Sequence, residues 1–196
     1  MRKPQIAILA LQGAFIEHSR MFSRLGADVF EIRQFADLEH QCDALILPGG
    51  ESTAQGKLLK ELELFEPLKQ RIISGLPVMA TCAGIILLAE KLCDDDTVHF
   101  GTLPVTVRRN AYGRQLGSFY TEGNFGDIPN VTMPFIRAPQ IAGYGENVSV
   151  LSSHNGVPTA VCFENQLAMT FHPEITEHTD IHEYFLKNIV IPYYSV

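Results

Sequence analysis

The sequence predicts a single α/β domain over residues 1–196, built on a doubly wound, mixed but mostly parallel sheet flanked by helices. Apolar runs of strand length alternate with helical patterns through the first half, which is the order of a parallel sheet with crossover helices. These runs are apolar on both faces, as in strands covered by helices on each side. The chain is 46% hydrophobic and 19% charged, a globular composition, and no repeat or linker divides it.

The first half of the chain predicts alternating strands and helices. Residues 5–11 form a continuous apolar run. The helical stripe that follows, from Phe15 to Leu25, ends at Gly26, a residue type common just after the last helical turn. The predicted strands are 5–11, 28–32, 43–47 and 77–81, and the predicted helices are 13–25, 58–73 and 84–92.

The second half predicts shorter strands joined by tight turns. Asn155-Gly156 and Glu164-Asn165 are typical of hairpin turns. The chain ends in a predicted amphipathic helix, which Pro192 is expected to stop. The predicted strands are 103–107, 133–136, 148–151, 159–164 and 167–171.

Composition and charge exclude several classes of function. The net charge of −7 and the pI of about 5.4 argue against a nucleic-acid binder, which would carry a basic patch. The four cysteines lack the spacing of a metal site, so we expect no bound metal. Scattered cysteines, no secretory signal and no apolar run of membrane-spanning length lead us to expect a cytoplasmic protein without a membrane partner.

Cys82 is the candidate nucleophile. It follows a predicted strand and precedes a predicted helix, at the edge where open α/β sheets bind ligands and where a helix N-terminus favours the thiolate. The segment Ala80-Thr81-Cys82-Ala83-Gly84 is close to the small-x-nucleophile-x-Gly pattern of a strained nucleophile turn, although Ala80 stands where glycine is commoner. The cysteines interpreted as buried, small apolar residues are Cys42, Cys93 and Cys162.

His172 is the candidate base, and Glu174 is the candidate for orienting it. One proline separates them, so in an extended segment both side chains point to the same face. Together with the cysteine they supply the nucleophile, base and orienting carboxylate of an acyl-transfer site. His154 is a rival base, but it lies in a turn with no carboxylate close in sequence. His178 and His182 have helical i, i+4 spacing without a third metal ligand, so we interpret them as a solvated helix face.

A glycine pair follows the third predicted strand, in Pro48-Gly49-Gly50-Glu51-Ser52-Thr53. Adjacent glycines let backbone N–H groups approach a ligand closely, and no Gly-Lys-Ser/Thr follows that would indicate a phosphate loop. An ordinary turn with a hydroxyl residue as helix N-cap is the alternative. We interpret the segment as part of an oxyanion hole, in which the N–H of Gly49 or Gly50 and that of Ala83 stabilise the negative oxygen formed when the cysteine attacks a carbonyl.

Seven short motifs occur in order from the first predicted strand to the last predicted helix. They are Leu11-Gln12-Gly13, Leu47-Pro48-Gly49-Gly50-Glu51-Ser52-Thr53, Thr81-Cys82-Ala83-Gly84, Arg109-Asn110-Ala111-Tyr112-Gly113-Arg114-Gln115, Phe135-Ile136-Arg137-Ala138-Pro139, Ser153-His154-Asn155-Gly156 and Phe171-His172-Pro173-Glu174. Together they resemble the glutaminase subunits of pyridoxal 5′-phosphate synthases, a family of class I (triad) glutamine amidotransferases. The departures are Ala80 for the usual glycine and Ala111-Tyr112 where Ser-Phe is common.

The resemblance implies hydrolysis of L-glutamine to L-glutamate and ammonia. Cys82 would attack the side-chain carboxamide, His172 would protonate the departing ammonia and then activate water, and Glu174 would orient the imidazole. Gln12 would support the oxyanion hole. Arginine and glutamate side chains suit the α-carboxylate and α-ammonium of an amino acid, with surface salt bridging as the alternative. The residues that the resemblance assigns to glutamine binding are Gly50, Glu51, Ser52, Arg109, Ile136 and Arg137.

The same resemblance implies a partner. In this family the ammonia passes along a protected path to a separate synthase (lyase) subunit, which assembles the cofactor from a pentose phosphate and a triose phosphate. We therefore expect a large hetero-oligomer around a double-hexameric synthase core. We also expect low activity before docking and no cofactor bound to this chain.

Two other functions stay open on the residues alone. The first is another cysteine hydrolase on a similar sheet, but such enzymes often place a histidine directly after the cysteine, where this chain has Ala83. The second is a regulatory binding subunit without catalysis. The intact set of Cys82, His172 and Glu174 argues against it.

Overall fold

The computed structural model of the chain describes residues 2–93, 95–111 and 117–194. The strands are β1 (Gln5–Leu9), β2 (Asp28–Ile32), β3 (Ala44–Leu47), β4 (Val78–Thr81), β5 (Ala89–Leu92), β6 (Leu103–Arg108), β7 (Ser118–Phe125), β8 (Ile128–Ile136), β9 (Gln140–Tyr144), β10 (Ser149–His154), β11 (Val157–Phe163) and β12 (Gln166–Met169). The helices are α1 (Phe15–Arg24), α2 (Ser52–Glu61), α3 (Phe65–Ile73), α4 (Ala83–Leu88), α5 (Asp180–Phe185) and α6 (Ile191–Tyr194). Short 3-10 helices lie at Phe35–Glu39 and Pro173–Ile175, and a π-helical segment at Leu186–Val190 joins α5 to α6.

The main sheet has seven strands in the described part of the chain, in the order β10-β11-β12-β4-β3-β1-β2. The strands from β12 to β2 pair in parallel, and β11 and β10 add an antiparallel edge. The predicted mixed, mostly parallel sheet is confirmed. Because the carboxyl ends of parallel strands meet at one edge, the segments that follow β1, β3, β4 and β12 come together there.

Two hydrophobic cores cover the two faces of this sheet. Ile6 and Ile8 in β1 belong to the core that also contains residues of α1 and the C-terminal helix. Ala7 and Leu9, which alternate with them, belong to the core formed with α2, α3 and α4. All four are fully buried, as expected when helices cover both faces of a strand. The helices therefore enclose the sheet and leave its carboxyl edge to the loops.

The second half adds two smaller sheets, β5-β6-β9 and the hairpin β7-β8. The hairpin contributes Phe125 and Phe135 to the core that contains α1. Both predicted turns are confirmed. Asn155 and Gly156, with φ of 51° and 78°, join β10 to β11, and Glu164-Asn165 joins β11 to β12.

Several predicted elements are wrong in extent. The predicted helix 58–73 is two helices, because Glu63 takes a left-handed φ of 57° between α2 and α3. The predicted helix 84–92 ends at Leu88, and Ala89 begins strand β5. A short apolar run fits a buried helix or a buried strand equally well, so periodicity could not separate them. The prediction also omitted β7 and β9.

The C-terminal helix does not stop at Pro192. The π-helical segment leads into α6, which extends to Tyr194 and has Pro192 as its second residue. The helical run is continuous from Asp180 to Tyr194, and just before Pro192 the Ile191 N–H donates to the Leu186 carbonyl, a π-helical bond in place of the regular pattern that a proline interrupts. The expectation that Pro192 ends the helix is therefore wrong.

Candidate active site

Cys82 lies at a sharp turn between β4 and α4. Its backbone has φ 48° and ψ −100°, a conformation that strains any residue with a side chain. The Cys82 N–H donates to the Met169 carbonyl across 2.9 Å and so anchors the turn to β12. Gly84 is needed next to it, because a Cβ there would collide with the Leu47 carbonyl. This turn presents the thiol at the carboxyl edge of the sheet.

His172 and Glu174 approach the cysteine from the end of β12. His172 Nδ1 lies 2.6 Å from Glu174 Oε1, and both residues are buried. The Cys82 side chain acts on the charge of the imidazole, and its Sγ lies 4.0 Å from the Ile136 carbonyl oxygen. A Cβ added to Gly49 would collide with the His172 ring. Glycine at that position therefore makes room for the ring beside the cysteine.

The charge state of His172 follows from its neighbours. Burial disfavours the imidazolium, but the hydrogen bonds to Cys82 and Glu174 and their negative charges outweigh it and raise the pKa of His172 to about 10. The imidazole of His172 is therefore protonated near pH 7. The carboxylate fixes the proton on Nδ1, which leaves Nε2 for the cysteine. The three side chains thus lie in the order thiol, imidazole and carboxylate.

The glycine pair has one N–H that is already engaged. The Gly49 N–H donates to the Thr81 hydroxyl across 3.0 Å, within the fold. It is therefore not available to an oxyanion, contrary to the prediction that Gly49 could serve as a donor. Gly50 and Ala83 both line the cleft, and their N–H groups are the candidates that are left.

Gln12 ties the glycine pair to the start of α1. Its side-chain oxygen accepts from the Glu51 N–H across 2.6 Å, and its backbone oxygen accepts from the Gln55 side chain across 2.9 Å. The Ala14 N–H donates to the Gly49 carbonyl across 2.9 Å. These contacts hold Gln12 against the glycine loop, and its supporting role in an oxyanion hole stays a prediction.

An open cleft of about 370 Å³ lies over the cysteine at this edge. Every residue predicted to bind glutamine lines it, whereas Glu174 lies behind His172 and is buried. The predicted site residues in its wall are Gln12, Gly49, Gly50, Glu51, Ser52, Cys82, Ala83, Arg109, Ile136, Arg137 and His172. Lining residues that the sequence analysis did not assign to the site are Gly13, Ala14, Thr53, Ile86, Asn110 and Pro139.

Two charged residues of the cleft have partners within the chain. The Glu51 carboxylate caps α2, accepting from the N–H groups of Thr53 and Ala54 at 3.1 and 2.8 Å, so the cap is not a hydroxyl residue. Burial opposes ionisation, but these bonds and Arg109 hold the pKa of Glu51 below its usual range. Arg109 lies 3.3 Å from Thr53 Oγ1 and 3.6 Å from Asp95.

Ile136 and Arg137 follow one another at the end of β8. Arg137 has a left-handed φ of 44°, and its N–H donates to the Gly117 carbonyl. The turn leaves the Arg137 side chain exposed at the rim of the cleft. Of the motif predicted at 109–115, residues 112–115 lie outside the described part of the chain.

A buried polar cluster that was not predicted from the sequence lies behind the triad. His18, Thr81 and His182 are fully buried. His18 Nδ1 lies 3.0 Å from His182 Nε2, and His18 Nε2 lies 3.2 Å from Thr81 Oγ1. The predicted solvated face is wrong for His182, because α5 begins only at Asp180, so His178 is exposed while His182 turns inward. The signal that could have found the cluster is the place of His18 within the apolar stripe of α1.

His154, the rival base, lies away from the cleft. Its Nδ1 is 3.5 Å from Thr121 Oγ1 and its Nε2 is 3.1 Å from the Asn155 side chain. Its ring packs against those of Phe119 and Phe135. The geometry favours His172 as the base.

Within residues 2–93, 95–111 and 117–194, no group of three or more His, Cys, Asp and Glu side chains is placed to hold a metal ion. In the same ranges, no helix combines the length and apolar character needed to cross a bilayer. The four cysteines are free thiols.

Comparison with known proteins identifies the family of the chain. The family profile of the SNO glutamine amidotransferases matches residues 8–191, a range that includes the candidate nucleophile, base and carboxylate. The chain belongs to the SNO glutamine amidotransferase family. The expectation of a glutaminase of the amidotransferase type is confirmed.

Several relatives resemble this SNO-family chain over nearly its whole length. Proteins named pyridoxal 5′-phosphate synthase subunit PdxT from Desulfitobacterium hafniense and Methanocorpusculum labreanum are each 54% identical over 94% of the chain, which covers 93% and 97% of those proteins. The protein of the same name from Haemophilus influenzae is 50% identical over 93% of the chain, which covers 96% of it.

Solved structures confirm the fold of this SNO-family chain. One described as a glutamine amidotransferase matches with a TM-score of 0.88 at 39% identity, covering 93% of this chain and 97% of that one. The structure of PurLQS from Thermotoga maritima matches with a TM-score of 0.63 at 16% identity, covering 94% of this chain and 98% of that one. The second likeness shows a shared fold alone.

Proposed function

We propose that this chain hydrolyses L-glutamine to L-glutamate and ammonia through a γ-glutamyl thioester on Cys82. The observation that carries the proposal is the alignment of Cys82, His172 and Glu174 at the cleft, with 2.6 Å between the imidazole and the buried carboxylate. Membership of an amidotransferase family supplies the substrate class. The site supplies the nucleophile, the base and the group that orients the base.

A side chain of the site assists each bond change in the hydrolysis of glutamine. His172 Nε2 takes the thiol proton, the Cys82 thiolate attacks the carboxamide carbon, and the C–N bond breaks as His172 returns the proton to the departing ammonia. Water then gives a proton to His172 and attacks the thioester carbon, which releases glutamate and restores the thiol. Glu174 keeps the imidazole in the tautomer that both steps need.

The oxyanion formed in each step needs N–H donors. We assign this role to the N–H groups of Gly50 and Ala83, with Gln12 supporting the loop through its contact with the Glu51 N–H. Losing one such donor typically costs about a hundred- to a thousandfold in rate. The loop contacts of Gln12 therefore contribute to the rate by holding the Gly50 N–H in place.

The amino-acid end of glutamine binds at the charged rim of the cleft. We assign the α-ammonium to Glu51 and the α-carboxylate to the arginines, Arg109 and Arg137, because paired charges of this kind recognise an amino acid with directed hydrogen bonds. The remaining contacts come from Gly50, Ser52 and Ile136, which line the same cleft.

Each of the relatives is named as a subunit of pyridoxal 5′-phosphate synthase, which supports a role for this chain within a larger enzyme. We propose that residues 1–196 form a single glutaminase domain that delivers ammonia to a synthase subunit, in a large hetero-oligomer with a double-hexameric synthase core. The lyase chemistry belongs to that partner, so this chain needs no cofactor of its own. We place the complex in the cytoplasm, where free thiols stay reduced.

The test is glutamate release from glutamine by the purified chain, alone and with the synthase subunit of the same organism. Wild type is expected to release glutamate, and faster with the synthase subunit. Cys82→Ala and His172→Asn are expected to release none above background, since each removes a group that no neighbour replaces.

Matched substitutions outside the cleft serve as controls. Cys162→Ala and His154→Asn are expected to keep wild-type turnover. Inactivity of wild type with the synthase subunit present would refute the glutaminase function. Turnover that survives in Cys82→Ala would refute the thioester mechanism, and loss in His154→Asn but not in His172→Asn would reassign the base.

A further inference from the structure

The buried cluster behind the triad has no part in the mechanism proposed above. It joins His18 of α1, Thr81 at the end of β4 and His182 of α5, each with 0% exposure. His18 is at its centre. Its Nδ1 is 3.0 Å from His182 Nε2, and its Nε2 is 3.2 Å from Thr81 Oγ1 and 3.6 Å from Glu174 Oε2.

The cluster reaches the catalytic residues at two points. Glu174 gives Oε1 to His172, whereas its Oε2 is buried and has no hydrogen-bond donor in range within the described part of the chain. Thr81 accepts the Gly49 N–H across 3.0 Å and so holds the glycine loop. His18 therefore lies between the orienting carboxylate and that loop.

We propose that His18 is a positioning residue whose ring, fixed by His182, directs its Nε2–H at Thr81 Oγ1 and Glu174 Oε2. In this role it holds the triad carboxylate and the glycine loop in one arrangement. The inference rests on the proposed glutaminase function and deepens it.

The position of the ring protons follows from the contacts. Burial, with the charges of His182 and His172, drives the pKa of His18 well below its usual value, and burial lowers the pKa of His182 to about 3, so both rings are neutral near pH 7. A proton on His18 Nδ1 would leave its Nε2 lone pair facing a carboxylate oxygen. His182 would then bury an Nδ1–H that has no acceptor in the described residues.

The opposite arrangement gives both ring N–H groups an acceptor. His182 Nε2–H donates to His18 Nδ1, and His18 Nε2–H donates to Thr81 and points toward Glu174. His182 Nδ1 then keeps an unpaired lone pair, which costs less free energy than a buried N–H without an acceptor.

A neutral donor suits the place behind the carboxylate. A charged His18 would compete with His172 for Glu174, whereas an N–H at 3.6 Å from Oε2 attracts it without a full hydrogen bond. The negative charge stays available to His172. Without the N–H, the carboxylate is free to rotate, which weakens its bond to His172 Nδ1 and lowers the pKa of His172.

The test compares His18→Asn with His18→Gln in the full chain with its synthase subunit. The glutamine amide nitrogen reaches the position of Nε2, whereas that of asparagine reaches only the position of Nδ1. We expect His18→Asn to lower kcat about tenfold, the upper size of one lost hydrogen bond to a neutral group such as the Thr81 hydroxyl, with KM nearly unchanged. NMR titration of the full chain should show a lower pKa for His172. His18→Gln should restore both values, and His178→Asn, the same change at an exposed histidine, should match wild type.

The outcomes separate this inference from the proposed function, because the titration of His172 needs no turnover. Wild-type kcat and titration in His18→Asn would overturn the proposal, as would equal losses in both His18 variants at equal thermal stability. If wild type lacks glutaminase activity, the proposed function fails and the titration alone decides the role of His18. If His18→Asn does not fold, His182→Leu removes the N–H that fixes His18, and an unchanged His172 pKa in that variant would refute the proposal.

Discussion

His172 Nδ1 and Glu174 Oε1 lie 2.6 Å apart, and the glutamate side chain has no exposed surface. A buried carboxylate is costly unless it is paired, and the imidazole that pairs with it needs a negative charge to hold a proton. The same contact therefore accounts for the burial of Glu174 and contributes to the raised pKa of His172. The two residues act as one unit, and the charge of that unit can be tested directly.

Glu174→Gln is expected to lower kcat for glutamine by up to about 10⁴-fold, the loss seen when the carboxylate that orients a catalytic histidine becomes an amide. The amide keeps the size of the side chain but not its charge. Burial, which disfavours the imidazolium, is then opposed less strongly, so the pKa of His172 falls. Glutamate release and an NMR titration of His172 measure the two effects. Glu177→Gln, the same change at an exposed position, is the control. Equal losses in both variants would contradict the orienting role.

The position of the site could be predicted because its residues follow strands that are easy to recognise. The strands β1, β3, β4 and β12 are apolar and almost wholly buried, and a parallel sheet brings the segments after them to one edge. Cys82, Gly50 and His172 each follow such a strand. They lie together at the cleft because of the sheet topology, and the order of strands and helices that sets this topology can be predicted from a single sequence.

The buried cluster and the contacts of the glycine loop could not be predicted, because they join residues that are far apart in the sequence and no local pattern indicates them. His18 and His182 are 164 positions apart and pair across the core, where a helical stripe predicts only burial. Thr81 has the β-branched side chain of an ordinary strand residue, so its bond to the Gly49 N–H could not be foreseen. The assignments of residues to glutamine binding and of 1–196 to a single domain stay predictions.

Gly49→Ala is expected to reduce kcat at least about a hundredfold, because a Cβ there would collide with the His172 ring and a displacement of about 1 Å can cost that much. The fold should survive, as the clash is with a side chain. Glutamate release and circular dichroism measure activity and folding. Gly123→Ala is the control, since its Cβ would meet nothing closer than 3.6 Å. Wild-type turnover in Gly49→Ala would contradict the close approach of loop and base.

Arg109→Gln is expected to raise KM for glutamine about tenfold with little change in kcat, because one charged hydrogen bond to the substrate is worth about 1.5 kcal/mol. The side chain lines the cleft, and its partner Asp95 lies at 3.6 Å, so the guanidinium can turn to a substrate carboxylate. Steady-state kinetics at saturating synthase subunit provides the measurement. Arg108→Gln changes the exposed neighbour outside the cleft and should leave KM as in wild type. A fall in kcat at constant KM would argue against a binding role.

The unfolding free energy is expected to fall as the pH drops below about 6.5, because His182 is buried and neutral with a pKa of about 3. Below about pH 6.5 the unfolded chain binds a proton at this residue that the folded chain binds only near pH 3, so acid favours unfolding in that window. One such histidine costs about 1.4 kcal/mol per pH unit, or about 2 kcal/mol at about pH 5. Urea unfolding at about pH 7 and about pH 5 should show a smaller loss of unfolding free energy for His182→Gln than for wild type, because glutamine cannot titrate. His178→Gln should lose unfolding free energy with falling pH as steeply as wild type, since that histidine is exposed. Equal pH dependence of the unfolding free energy in wild type and His182→Gln would contradict the buried, neutral state of His182.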